Sequence, residues 1–74
     1  MQRIRIESSA LTSVSYDADT RCLEVEFQDG SAYEFLDLPE PLHAALLASE
    51  SKGRYFNIAI RGHFQCRRSE RSKT

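Results

Sequence analysis

Arg21-Cys22-Leu23-Glu24-Val25-Glu26-Phe27-Gln28-Asp29-Gly30-Ser31-Ala32-Tyr33-Glu34-Phe35-Leu36 reads as a β-hairpin. Leu23, Val25 and Phe27 alternate with Glu24, Glu26 and Gln28, the period-two pattern of a strand with one buried face. In the second arm Tyr33 and Phe35 share a face and Glu34 takes the other. The length of the turn at Asp29-Gly30 fixes the register. A two-residue loop sets Val25 opposite Glu34 and sends Tyr33 and Phe35 to the wrong side, a one-residue slip that a buried face forbids. A three-residue loop, Gln28-Asp29-Gly30, sets Val25 opposite Tyr33 and Leu23 opposite Phe35. Gly30 then takes the left-handed position of the turn, where a missing Cβ removes the steric penalty. The odd loop is the expectation.

Upstream, Thr12, Val14 and Tyr16 alternate with Ser13 and Ser15, giving a strand over 11–16. Asp17-Ala18-Asp19-Thr20 is a turn, rich in side chains that bond their own backbone. An even loop centred on Asp19-Thr20 aligns Tyr16 with Leu23, Val14 with Val25 and Thr12 with Phe27. Residues 1–7 alternate weakly and read as an N-terminal extension or an edge strand. The expected fold is therefore α+β: a three-stranded antiparallel meander whose single apolar face must be covered. Glu24, Glu26 and Glu34 gather on the opposite face, which reads as a solvated surface.

Downstream lies the cover, one or two short helices. Asp37-Leu38-Pro39-Glu40-Pro41 opens a helix, since proline is tolerated in a first turn and Glu40 suits the positive end of the helix dipole. Leu42, Ala45 and Leu46 fall on one stripe, with Leu47 beside it. His43 reads as a surface or boundary residue. A second helix follows Ser49-Glu50-Ser51, with Tyr55, Phe56, Ala59 and Ile60 at helical spacing and Gly62 where a C-terminal cap belongs. His63-Phe64-Gln65-Cys66 reads as a short returning strand. Residues 67–74, without an apolar side chain, read as a disordered basic tail, leaving the domain at 8–66.

Seventy-four residues make one small domain with a single core. No apolar run approaches the roughly 20 residues of a membrane helix, and the start lacks the apolar stretch of a signal peptide, so a cytoplasmic location is the default. Cys22 and Cys66 are neither a disulfide framework nor a metal spacing. No nucleophile–base constellation, zinc-protease motif or phosphate loop is present, so neither catalysis nor a cofactor, metal or small-molecule substrate is expected.

The net charge of −1 conceals an asymmetry. Residues 1–51 hold three basic against ten acidic groups, a net of −7, and residues 52–74 hold seven basic groups against Glu70 alone, a net of +6. Such asymmetry points to a nucleic-acid partner or to internal pairing of the basic segment with the acidic strands; both readings stay open. Ser51-Lys52-Gly53-Arg54-Tyr55-Phe56-Asn57 is the most informative stretch. Two cations at a helix start oppose the dipole, and glycine is a poor helix former by about 1 kcal/mol. An anion at those amides, or tight packing at Gly53, accounts for the pattern. Lys52, Gly53, Arg54, Arg61, Arg67 and Arg68 are the candidate nucleic-acid contacts. Tyr33 and Phe35, with Tyr16, are weaker candidates for stacking on unpaired bases, because the register puts all three on the core face.

The sequence resembles the KTSC domain family, a module at the C-terminus of some lysyl-tRNA synthetases that also occurs as small stand-alone bacterial proteins. The matching pieces are Ser8-Ser9, Val14-Ser15-Tyr16-Asp17, Leu23-Glu24-Val25-Glu26-Phe27, Gly30, Tyr33-Glu34-Phe35, Leu38-Pro39, Leu46, Ser51–Asn57 and Ile60. The family's central Tyr-x-Tyr element here ends in Phe35, so any role of that second hydroxyl is missing. The resemblance implies a non-catalytic module and, from its synthetase context, binding to RNA (tRNA or single-stranded). A protein-interaction or homodimerisation module is the alternative.

Overall fold

The structure, a computed structural model, describes residues 2–6 and 8–69. Five strands form one antiparallel sheet in chain order: β1 (Gln2–Arg5), β2 (Leu11–Asp17), β3 (Cys22–Phe27), β4 (Ala32–Phe35) and β5 (Cys66–Arg68). Between β4 and β5 run helix α1 (Glu40–Ala48) and helix α2 (Lys52–Tyr55), the latter continuing into a π-helical turn at Phe56–Ile60. The meander is thus wider than the three strands expected. The N-terminal stretch pairs with β2, and the returning strand pairs with β4. That strand begins at Cys66, where the sequence reading ended it. Arg67 and Arg68 belong to it and Ser69 is buried, so the expected disordered tail is corrected at 67–69; positions 70–74 lie outside the described residues.

The central hairpin has the expected register, Val25 opposite Tyr33 and Leu23 opposite Phe35. Gly30 sits at φ +92°, and its N–H reaches the Phe27 carbonyl at 3.0 Å. Tyr16 and Val14 pair with Leu23 and Val25 as expected. Thr12 does not pair with Phe27. The register shifts between Leu11 and Ser13, so Leu11 faces Phe27 and is fully buried. The physical reason is burial. An extra residue in one strand turns an out-of-phase leucine onto the core face.

The core lies between one sheet face and the helical segment. Val14, Leu23, Val25 and Phe35 of the sheet pack with Leu38, Leu46, Phe56 and Ile60, closed at one end by Ile6 and Leu11. Leu46 carries the α1 stripe at full burial, with Leu42, Ala45 and Leu47 half-buried. The Tyr16 hydroxyl donates to the Leu38 carbonyl at 2.6 Å and fixes where the chain leaves β4 for α1. The His43 ring stacks on Tyr16 at 4.7 Å and 19°. Burial lowers the His43 pKa below the usual 6.5, with Glu40 opposing.

The opposite sheet face is not the solvated acidic surface expected from sequence. Arg3, Ser15, Glu24, Glu34 and Arg67 form one row across all five strands. Glu24 and Glu34 sit directly opposite each other, a destabilising arrangement for like charges. Each is compensated from an edge. Arg3 Nη2 lies 2.8 Å from Glu24 Oε1, and Arg67 Nε lies 2.7 Å from Glu34 Oε1. Glu24 is fully buried and its second oxygen accepts the Ser69 hydroxyl at 2.5 Å; Ser13 and Ser15 are buried beside it. Burying a carboxylate is tolerated because charge-assisted partners replace water.

Candidate nucleic-acid interface

The helical cover does not extend over the whole apolar face. It ends at Ile60, and the chain reverses in a turn with Arg61 at φ −65°, ψ 127° and Gly62 at φ +82°. The His63 N–H bonds the Ile60 carbonyl at 3.0 Å, closing a type II turn whose third position favours glycine. Gly62 therefore serves that turn. Beyond the turn β5 begins, and between turn, hairpin loop and sheet lies a cleft of about 500 Å³. Its walls are aromatic and cationic: Phe27, Tyr33, Phe35 and Phe56 with Arg61, and Asp29 at the loop. Small-ligand clefts commonly span roughly 300–1,000 Å³.

Tyr33 is half-buried in this cleft. Its aromatic contact among the described residues is T-shaped with Phe27, at 5.9 Å and 69°, and no ring lies parallel on it. Arg68 stands opposite Tyr33 across the β4–β5 ladder, on the same sheet face by strand alternation. Arg61 and Arg68 are exposed and form no ion pair among the described residues. Asp29 Oδ1 accepts both the hydroxyl (2.6 Å) and the N–H (2.9 Å) of Ser31. These bonds, the hydroxyl first and with a smaller contribution from the Arg68 charge, lower the Asp29 pKa.

The other candidate residues are dispersed. Lys52 Nζ donates to the Ser49 carbonyl at 2.9 Å, tying α2 to the end of α1. A Cβ at Gly53 would meet Ser8 Oγ at 2.9 Å. Close packing thus accounts for that glycine, since Ser8 Oγ also accepts the N–H groups of Ala10 and Leu11 at 3.1 and 3.3 Å. Ser8-Ser9 and Lys52-Gly53-Arg54 with Asn57, over forty positions apart in sequence, line one groove of about 560 Å³, in which Arg54 is exposed. Arg67 is engaged by Glu34, and that hydrogen bond raises its pKa.

Among the aromatic candidates, Phe35 is buried and packs edge-on against Phe56 at 5.2 Å, and Tyr16 is occupied by His43 and Leu38. Phe35 also lines the open cleft but is buried, so of the three Tyr33 is the half-buried ring that lines it. The register put it correctly on the core face, but β4–β5 pairing carries the sheet past the helices and leaves that end uncovered. Phe27, Asp29, Gly62 and Cys66 are lining residues that sequence reasoning did not assign to a site. Cys66 is exposed, whereas Cys22 is half-buried on the acidic face, where burial, with Glu34 next, raises its thiol pKa.

These features define a small α+β module with a compensated acidic face and an aromatic cleft on the other. No helix among the described residues is long and apolar enough to cross a membrane. Residues 7–64 match the family model of the KTSC domain, and the chain belongs to that family. It is 40% identical to a KTSC domain protein from Yersinia pestis whose crystal structure superposes with a TM-score of 0.89, over 92% of this chain and 96% of that one. A protein from Stutzerimonas stutzeri is 42% identical over 57 residues, 77% of this chain and 80% of its own length. A lysine–tRNA ligase from Nostoc punctiforme is 36% identical over 62 residues. Those residues are 84% of this chain but 11% of the ligase.

Proposed function

We propose that the chain is a non-catalytic RNA-binding module. The observation that carries this reading is the separation of charge. The sheet glutamates are engaged by Arg3 and Arg67 on one face, while Arg61 and Arg68 stand exposed and unpaired among the described residues on the other. Arg54 adds an exposed charge at the second groove. Arginines free of internal partners are suited to phosphate oxygens. The occurrence of a related segment within lysine–tRNA ligases, proteins that handle RNA, supports the reading. Aminoacylation is not carried over, since the resemblance covers 11% of the ligase.

Titration with tRNA and with single-stranded RNA at low salt tests the proposal. Affinity should fall linearly with salt on a log–log plot, and Arg61→Ala with Arg68→Ala should flatten that slope by about one to two. Absence of binding at low salt would remove the reading. The protein-interaction alternative has one feature in its favour: Ile58 is 64% exposed, the one large hydrophobic side chain so placed among the described residues. A monomer mass that does not change with concentration would oppose the homodimer form.

A further inference from the structure

We infer that the cleft between the Ile60–His63 turn and β4 takes an unpaired nucleobase, stacked on Tyr33, with its flanking phosphates on Arg61 and Arg68. The inference rests on the RNA-binding reading and narrows it from RNA in general to single strands. Four observations converge. The cleft is large enough for a planar ring and has an aromatic lining. No neighbouring ring is stacked parallel on Tyr33 among the described residues, so a ring face is not taken up by another aromatic group. Two guanidinium groups that form no ion pair among the described residues stand nearby: Arg61 lines the cleft on the turn, and Arg68 lies opposite Tyr33 across the strand ladder. The cleft also carries Asp29, a carboxylate that disfavours a bare anion as the whole ligand but suits a ligand with hydrogen-bond donors as well as negative charge.

A nucleotide combines these properties: a π face, exocyclic donors and a phosphate at each side. A duplex does not fit the same chemistry. Its base faces are hidden in the stack, and the A-form major groove is too narrow to offer their edges. Stacking on one aromatic side chain is tolerant of base identity, so the preference should be for strandedness before sequence.

The test compares binding of an oligouridylate of about eight nucleotides, within the usual range of ~4–16 per site, with binding of a blunt RNA duplex at the same salt. The single strand should bind more tightly. Tyr33→Leu should weaken it roughly 5- to 100-fold, the loss expected from one stacked base. Tyr33→Phe should restore wild-type affinity, because the ring and not the hydroxyl does the stacking. Duplex affinity should be unchanged in both variants.

A second readout needs no variant. Alkylation of Cys66 by iodoacetamide, followed by mass spectrometry, should slow when the oligouridylate is present, because Cys66 lines the cleft. Equal affinity for both strand types, with Tyr33→Leu neutral or Cys66 unprotected, would overturn the cleft assignment and leave RNA binding standing. No binding of either RNA by the wild-type protein would overturn both.

Discussion

Replacing Glu24 with alanine examines the least expected feature of the fold, a fully buried carboxylate on the sheet face that does not pack against the helices. The substitution has two consequences that can be weighed separately. The Arg3 guanidinium loses its 2.8 Å partner, but its side chain is 42% exposed and keeps Ser13 Oγ at 2.8 Å and Glu26 at 3.8 Å. Its charge is therefore not stranded, and the loss falls short of the roughly 3–5 kcal/mol of a fully buried broken pair. The Ser69 hydroxyl loses its carboxylate acceptor inside the protein, at about 1–3 kcal/mol. Relief of the Glu24–Glu34 opposition returns a fraction of this, roughly 0.2–1 kcal/mol. A net loss of about 2 kcal/mol is expected, which lowers Tm by roughly 8–16 °C in a domain of this size.

Thermal and urea denaturation followed by circular dichroism measure it. A double-mutant cycle with Arg3→Ala should give a positive coupling of about 1 kcal/mol, the pair's own share. A Glu24→Ala variant within about 0.5 kcal/mol of wild type, as for a surface acid, would refute the compensated ladder.

Three further outcomes are expected. Gly53→Ala gains up to about 1 kcal/mol of helix propensity but drives a methyl group into Ser8 Oγ, whose two short-range hydrogen bonds are worth about 0.5–1.5 kcal/mol each, so the variant should melt slightly lower. Pairing it with Ser8→Gly should recover part of the loss in the same melts. Tyr16→Phe removes the 2.6 Å bond to the Leu38 carbonyl and should cost about 1–2 kcal/mol by urea denaturation. His43 is lowered in the folded state, so the unfolded chain binds its proton first; stability is full above the usual 6.5 and declines as pH falls through 6.5 toward the lower folded value. His43→Phe should flatten that part of the stability–pH profile relative to wild type, and an NMR titration of His43 at or above 6.5 would contradict the sign.

The hairpin was legible because alternation and turn length constrain one another: only the odd loop brings Val25, Leu23, Tyr33 and Phe35 together. The Tyr16–Leu23 alignment followed from the same logic. Strict alternation then failed at Leu11, since a bulge shifts phase without leaving a glycine or proline to mark it. The acidic face was misread for a related reason. Glu24 reads as solvated from its own strand, and only β1 and the segment after β5 bring Arg3 and Ser69 onto it. The candidate site was half legible. The charge asymmetry singled out the basic C-terminal segment, but within it Arg67 is engaged by Glu34, Lys52 by Ser49, and Gly53 is explained by Ser8. Tyr33 gained its place from a feature absent from local pattern, the end of the helical cover at Ile60 while the sheet continues to β5.

The central claim is that the Tyr33 cleft receives a single-stranded nucleotide. Mapping amide shifts of the ¹⁵N-labelled protein as an oligouridylate is added tests it most directly. The account predicts that the largest, saturable changes fall at Tyr33, Arg61, Gly62, Cys66 and Arg68, with Ser8, Ser9 and Glu24 little affected. Changes centred on Ser8, Gly53 and Arg54, or no changes at low salt, would contradict it.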